Sequence, residues 1–492
     1  MKKQISIVGG GAAGWLSALY IQNLYKGDAD VTLIESEDIG ILGAGEASVP
    51  FTIQFLKKLN IDIDELIVAV NGTHKIGITF ENWNGDGNQY IHDFASGDVR
   101  KYKLENYIGY LLDNKLDINQ NSISKKMAYE NKAPYTKDDI ELISHSFHFD
   151  TNLLADYLKK IAESRGVIRI DGIVTDFIQN EYGDITNINL QNGKSIKTDF
   201  VFDCSGFARL IIGKLYNTEW ISYKDRLTVN SALTFQLPQD IDNIKPYTRS
   251  IAMKYGWMWQ IPLQNRIGCG YVFDSKYINE VEAKNEIENF LGHKIESNKV
   301  IKFDAGRYNS VWVNNCIAVG LSSGFLEPLE ATSIVMSAIS LESLTKFDLN
   351  YKNYERMGNY NINIASITNN IMEFIYYHYM TKRSDTEFWK FYTKQENISN
   401  YLQKIMNSLH NDINIKSFND SIFSLQNWVM IGHGLELITN DTFIKKYKDG
   451  GDINDLESFY ENEVIKKSNN LFLHIINESE YLKKIKEKYN GI

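Results

Sequence analysis

Cysteine and proline are scarce in this chain, with three of the first and six of the second among 492 residues. Cys204, Cys269 and Cys316 stand far apart with no CxxC spacing. That argues against a disulfide framework or a zinc site and fits a reducing cytoplasm. Long apolar runs are also missing: no uninterrupted stretch approaches the ~18 residues of a bilayer span. Nor is there an excess of positive charge. Acidic residues number 62 against 52 basic ones, a net charge of −10, so broad binding to nucleic acid or an anionic membrane is not expected. The opening "MKKQISIVGGGAAGW" has two lysines and an apolar run, but glycines cut the run short and no cleavage-type sequence follows. It reads as a strand and not as a signal peptide. No internal repeat is visible.

What is present is the composition of a folded globular protein, 43% hydrophobic and 23% charged, long enough for two or three lobes. "QISIVGGGAAGWLSALYIQNL" runs from an apolar strand through Gly9, Gly11 and Gly14 into a helical pattern. These glycines fit G-x-G-x-x-G: the first makes the turn, the second admits a pyrophosphate, and the third lets helix and strand pack closely. The helix N-terminus then offers free N–H groups to phosphate. A second strand, "DVTLIES", ends at Glu35, 21 residues beyond Gly14, near the ~20-residue offset of an acid that holds a ribose hydroxyl. On this evidence the cofactor is NAD or FAD. Two later apolar strands, in "TDFVFDCSGFARLI" and "NNCIAVGLSSGFLEPLEATS", look like late returns to the same sheet, as in large flavoproteins with a discontinuous dinucleotide domain, and point to FAD. No second G-x-G-x-x-G of similar quality offers an NAD(P)H site.

Two further stretches stand out. "KIGITF" alternates as a strand, with Lys75, Gly77 and Thr79 on one face. "GWMWQIPL" (256–263) would place Trp257, Trp259 and Ile261 on one strand face, with Pro262 ending the strand or confining it to a sheet edge.

Four segments together resemble the flavin-dependent halogenases that act on tryptophan and related indoles: "GGGAAGWLSA", "GAGEASVP", "VNGTHKIGITFENW" and the W-x-W-x-I-P stretch at Trp257, Trp259, Ile261 and Pro262. Supporting similarity includes "HSFHFDTNLLADYLKK", "DCSGF", "GCGYVFDS" and "HYMTKRSDTEFW", and three of the six prolines (Pro50, Pro262 and Pro328) lie in matched segments. The resemblance implies that reduced FAD and dioxygen convert halide to hypohalous acid, which reaches an aromatic substrate in a separate chamber. It assigns Lys75 as the catalytic lysine, its ammonium donating hydrogen bonds to hypohalous acid, or forming a haloamine once burial has lowered its pKa. Glu330 becomes the carboxylate that stabilises the ring cation and takes its proton; it is expected where the helix "EATSIVMSAISLESL" begins, where an acid would also suit the dipole. Thr332 and Ser333 stand where the family binds halide through backbone N–H groups, and Ser333 occupies a position where glycine is expected.

For the cofactor the resemblance adds Trp15, Ala44, Glu46, Ala47, Ser48, Gly320 and Leu326 to Gly9, Gly11, Gly14 and Glu35. Residues 43–50 would form a strap between flavin and substrate. His92, Phe94, Pro50 and Trp428 are implied as substrate contacts, with Trp428-Val429 standing where two tyrosines are expected. Trp257 and Trp259 would shield the flavin by filling space. A separate NAD(P)H-dependent flavin reductase would deliver FADH2, and the halide would be chloride, bromide or iodide. The family uses no metal, and the pair His145 and His148 has no third ligand nearby. A small aromatic substrate, tryptophan or a free indole, is implied for a cytoplasmic monomer or homodimer.

The expected architecture is α/β. An FAD-binding, Rossmann-like, flavin monooxygenase-type discontinuous domain carries a β-sheet substrate region and a mainly helical C-terminal lobe. Residues 1–345 would form the FAD-binding and halogenation core, with the substrate-side sheet at about 210–300, and residues 346–492 a helical substrate lid. The charged end, "ESEYLKKIKEKY", reads as a solvated amphipathic helix. An aromatic monooxygenase is the competing enzyme class. A non-catalytic, nucleic-acid-associated flavoprotein fits poorly with the charge.

Overall fold

The computed structural model describes residues 2–39, 45–94, 103–116, 118, 123–345, 349, 352–394, 398–413, 422–450 and 453–489. They gather into two compact units, each interrupted in sequence. The first comprises Met1–Gly72, Phe149–Thr228 and Phe303–Asn369, the second Thr73–His148, Val229–Lys302 and Asn370–Ile492. This division does not follow a boundary at residue 345. The C-terminal helices group with the substrate-side sheet because they are tied to it: Trp389 Nε1 donates to the Met253 carbonyl at 2.9 Å, and Thr386 Oγ1 to that of Lys254 at 2.9 Å.

The first unit is built on a six-stranded sheet in the order Trp312–Val313, Cys316–Ala318, Phe200–Asp203, Lys3–Val8, Ala29–Glu35, Ile168–Asp171. All its pairings are parallel except the first, so the late strands do return beside the N-terminal one. Parallel strands are covered on both faces and read as continuous apolar runs; Ile5, Ile7, Val8, Val31, Leu33 and Ile34 are accordingly all buried. The helix Ala12–Leu24 links the first two strands.

The second unit carries a seven-stranded sheet in the order Ser297–Lys302, Ser231–Leu237, Ile267–Phe273, Gly256–Pro262, Tyr247–Met253, Gly77–Glu81, Gln89–Asp93. The sheet thus recruits two strands from before residue 100, which the expected 210–300 range omitted. The strand Gly256–Pro262 is interior and buried at every residue. Pro262 is its last residue, in register with Ile267 across a tight connection. Proline therefore stops this strand rather than marking a sheet edge, because the missing N–H falls where the ladder ends. The terminal helix Glu478–Tyr489 is not wholly solvated: Glu478, Tyr481, Leu482 and Ile485 are buried. No helix among the described residues is long and apolar enough to cross a membrane.

Candidate active site

In the first unit the glycine turn is shaped by contacts that forbid side chains. Gly9 has φ +115°, and a Cβ there would collide with the Cys204 carbonyl; one on Gly14 would collide with the Gly9 carbonyl. Gly11 is different, since a Cβ built on it meets nothing within 4 Å. That open space lies at the N-terminus of the helix Ala12–Leu24, which has no side-chain cap. Uncapped N–H groups beside an open backbone suit a pyrophosphate, so these residues fit a dinucleotide. Gly320, at φ +70°, brings the second returning strand against the same place: its Cβ would come within 2.7 Å of that of Ala13.

Glu35 ends the second strand as expected, packed so closely over Gly10 that a side chain there would strike its carboxylate. It is also paired, accepting from Arg169 Nε at 2.6 Å and lying 3.3 Å from Lys159 Nζ. The sequence reading did not find those partners, which come from a strand and a helix more than 120 residues away. Trp15 and Leu326 are buried, as is Ser48. Glu46 and Ala47 form a short strand, and Pro50 is the first residue of the helix Pro50–Lys58. Burial pushes the Glu46 carboxyl up to about 7. Ala44 lies outside the described residues.

Glu330 does not begin the helix. The helix is Thr332–Glu342, with no acid in its first turn, and Glu330 precedes it in the turn Leu329–Ala331. It is buried, and both Glu330 (φ +65°) and Ala331 (φ +54°) are left-handed. Two such non-glycine residues in succession cost roughly 1–3 kcal/mol each and persist only where the surroundings impose them, which is common at active sites. Thr332 and Ser333 open a helix whose N-cap, Ala331, supplies no side chain.

In the second unit Lys75 is completely buried. The alternation of "KIGITF" does not form one strand. Thr73–Lys75 pairs with Ser146–Phe149, Ile76 interrupts, and Gly77–Glu81 joins the large sheet. The Lys75 Nζ lies over the Phe94 ring, 5.1 Å from the centroid. His92 is buried two residues earlier, and Asn427 Nδ2 sits 2.8 Å from its Nε2. The next residue on that helix, Trp428, packs against Phe374 and Tyr377 at 4.9 and 5.1 Å. Phe374 also meets the His92 ring at 6.0 Å. Lys75, Phe94, His92 and Trp428 are thus linked through aromatic and amide neighbours, of which Asn427 and Phe374 carried no sequence signal.

Two residues before Lys75, on the same face of the strand, Thr73 Oγ1 donates to the Pro262 carbonyl at 2.8 Å. With its one proton so used, Thr73 accepts from His148 Nδ1, also at 2.8 Å. His148 Nε2 then accepts from Thr248 Oγ1 at 2.9 Å. These directions hold for a neutral imidazole. Burial, with Lys75 and His74 nearby, holds the His148 pKa well below its usual value. Trp257 and Trp259, on the strand that ends at Pro262, lie with centroids 6.1 Å apart and both are buried. Trp259 covers Gly270 on the adjacent strand, where any Cβ would strike the indole. Among the described residues no group of three or more His, Cys, Asp or Glu is arranged to hold a metal.

The first unit is an α/β sheet whose glycine turn fits a dinucleotide, and the second unit buries a lysine over the Phe94 ring. The tryptophan halogenase family model matches residues 4–446. Tryptophan 7-halogenase RebH of Lentzea aerocolonigenes is 32% identical over 413 residues, 79% of this chain and 78% of RebH. Among solved structures, Tar14, a tryptophan C-6 flavin-dependent halogenase from taromycin biosynthesis, superposes with a TM-score of 0.90 at 27% identity, covering 98% of this chain and all of Tar14. Xcc4156, a flavin-dependent halogenase from Xanthomonas campestris, gives 0.88 at 26% identity over 99% and 98% of the two chains. The chain belongs to the tryptophan halogenase family and is a flavin-dependent halogenase, an oxidoreductase.

Proposed function

We propose that this enzyme attaches halogen to an indole-type aromatic ring, with Lys75 presenting the electrophile and Glu330 assisting deprotonation. The observation that carries the reading is Lys75 itself, an ammonium wholly buried beside an aromatic face. Reduced FAD, with dioxygen and a halide ion, supplies hypohalous acid when bound at the glycine turn. The Lys75 Nζ donates a hydrogen bond to the oxygen of that acid, leaving the halogen electron-poor. The negative face of the Phe94 ring holds the ammonium in place while the acid is delivered. Glu330 stabilises the ring cation and accepts the displaced proton at its carboxylate. Its buried, strained turn supports a functional assignment.

Halide is assigned to the N–H groups of Thr332 and Ser333, and the uncapped helix end supports this. Trp257 and Trp259 act by exclusion: two close-packed indoles leave no room for a ring substrate, so only a small oxidant passes. The aromatic setting of His92 and Phe94 suits a planar substrate. RebH and Tar14 are named for tryptophan, and we assign this chain the same class, free tryptophan or an indole. A single G-x-G-x-x-G in the chain supports delivery of FADH2 by a separate flavin reductase.

The test combines purified protein, FAD, an unrelated flavin reductase, NADH and each halide in turn with tryptophan and a panel of indoles. Halogenated product is expected; hydroxylated product alone would make the enzyme a monooxygenase. Lys75→Ala should abolish halogenation while FAD still binds, and Glu330→Gln should slow it by about 100-fold or more. A Lys75→Ala enzyme that still halogenates removes Lys75 from the mechanism.

A further inference from the structure

The residue before Lys75 is gripped by a carboxylate from the far end of the chain. Glu478 is completely buried and opens the terminal helix Glu478–Tyr489, beyond residue 446, where the family match stops. Its Oε1 accepts the backbone N–H of His74 at 2.9 Å. The His74 ring Nδ1 lies 3.1 Å from Oε1 and 3.0 Å from Oε2 of the same carboxylate. Backbone and side chain of one residue therefore end on one acid. The ring is boxed as well, meeting Tyr135, His145 and Tyr481 edge-on at 5.5, 5.4 and 5.3 Å. Tyr135 and Tyr481 stack on each other at 4.6 Å and 3°. The segment that brings Glu478 here is fixed to the rest of its unit: Ile475–Asn477 pairs with Lys132–Thr136, and Glu478 donates its own N–H to the Asn131 carbonyl at 2.9 Å.

A carboxylate without water is expensive unless hydrogen bonds satisfy it, so a group buried this completely is held to its partners. Adjacent residues of a strand point to opposite faces. Glu478 thus fixes the strand from the side opposite the Lys75 side chain, while Thr73 is tied to His148 and Pro262 on the side that Lys75 shares. We propose that Glu478 is a positioning residue for Lys75, clamping His74 so that the strand holds the ammonium over Phe94 in the geometry halogen transfer needs. The clamp touches neither substrate nor cofactor and acts through the peptide that joins His74 to Lys75. The proposal rests on the reading of Lys75 as the group that presents halogen.

The experiment compares Glu478→Ala, Glu478→Gln and Glu478→Asp in the full-length holoenzyme. It measures kcat and KM for halogenation, FAD affinity, Tm, and the hypohalous acid that escapes to an added scavenger. A displacement of about 1 Å at a reacting group lowers rate on the order of 100-fold. Glu478→Ala is therefore expected to lower kcat by ~10- to 100-fold, with KM and FAD affinity within about twofold and more hypohalous acid escaping per turnover. Glu478→Gln keeps an oxygen for the His74 N–H and sets an NH2 against Nδ1, which the other ring tautomer accepts, so kcat should fall less than in Glu478→Ala. A structural role alone would depress every reading together with Tm, which overturns the proposal, as does an unchanged kcat in a folded Glu478→Ala enzyme. If that variant cannot be purified, Glu478→Asp decides: the acid is retained but withdrawn by one methylene, kcat should fall at constant KM, and an unchanged kcat overturns the proposal. Inactive Lys75→Ala beside fully active Glu478 variants refutes the clamp and leaves Lys75 its role. An active Lys75→Ala refutes the reading beneath it.

Discussion

Around Gly9, Gly11 and Gly14 the chain removes side chains so that a backbone can be approached; around Thr73, His74 and Lys75 it fills every position and ties each side chain down. Under the proposed function the first arrangement serves a large, flat, anionic cofactor that needs N–H groups and room, and the second a single ammonium whose direction matters and whose solvent has to be kept out. The contrast shows in which substitutions each region can accept. At the turn, the fold demands Gly9 and Gly14 but leaves open space beside Gly11, while along the strand three consecutive residues are each held by a hydrogen bond or a ring.

The comparison can be broken most sharply at the turn. Gly14→Ala drives a Cβ into the Gly9 carbonyl and should destabilise the first unit by several kcal/mol, read as a large fall in Tm with loss of FAD binding. Gly11→Ala has open space for its methyl group. It should leave Tm of the FAD-free protein unchanged and weaken FAD by about 10-fold or more, because the methyl occupies the pyrophosphate's approach. Equal falls in Tm for the two variants would erase the distinction between fold-demanded and ligand-demanded glycines.

On the strand, Thr73→Val keeps the shape but leaves the Pro262 carbonyl and the His148 Nδ1–H without their partner. Two buried groups left unsatisfied should cost about 2–4 kcal/mol in denaturant unfolding, and kcat should fall as the Lys75 strand loosens. A stable Thr73→Val enzyme with normal kcat would mean that the strand is not braced through this residue.

The smallest effect concerns pH. Burial raises the folded-state pKa of Glu46 to about 7 from an unfolded value of 4.5, so the folded protein keeps a proton that the unfolded chain releases. The carboxyl's contribution to stability is present at low pH and is lost as pH rises between those two values. Glu46→Gln removes the dependence. Its Tm relative to wild type should climb by a few degrees from about pH 5 to pH 7.5, a difference on the order of 1–2 kcal/mol. A constant offset across that range would mean that Glu46 does not titrate there.

How much was legible in the sequence follows from how local each feature is. The glycine turn was readable because strand, turn, helix and acid fall within 35 residues, each with its own stereochemical demand. The two returning strands were readable from apolar runs beside Asp203 and Gly320. The interruption at Ile76 was not, because the alternating pattern continues through it and only the pairing of Thr73–Lys75 with Ser146–Phe149 reveals two sheets. The helix was read as starting two residues early, at Glu330, since nothing in "LEPLEATS" announces two left-handed residues in a row. Arg169 and Lys159 reach Glu35, and Asn427 reaches His92, from places that only the fold brings near. The terminal helix looked solvated because charged residues fill most of it, yet its first acid is the one that closes on His74.

The bond from Thr73 to the Pro262 carbonyl bears on attempts to change what the enzyme accepts. The strand that carries Trp257 and Trp259 is the strand whose last carbonyl accepts from Thr73, two residues before Lys75. Carving space there for a larger molecule will therefore also disturb the aim of the ammonium. Under the proposed function, substrate range and regiochemical fidelity would then be mechanically coupled, and variants selected for one should be expected to drift in the other.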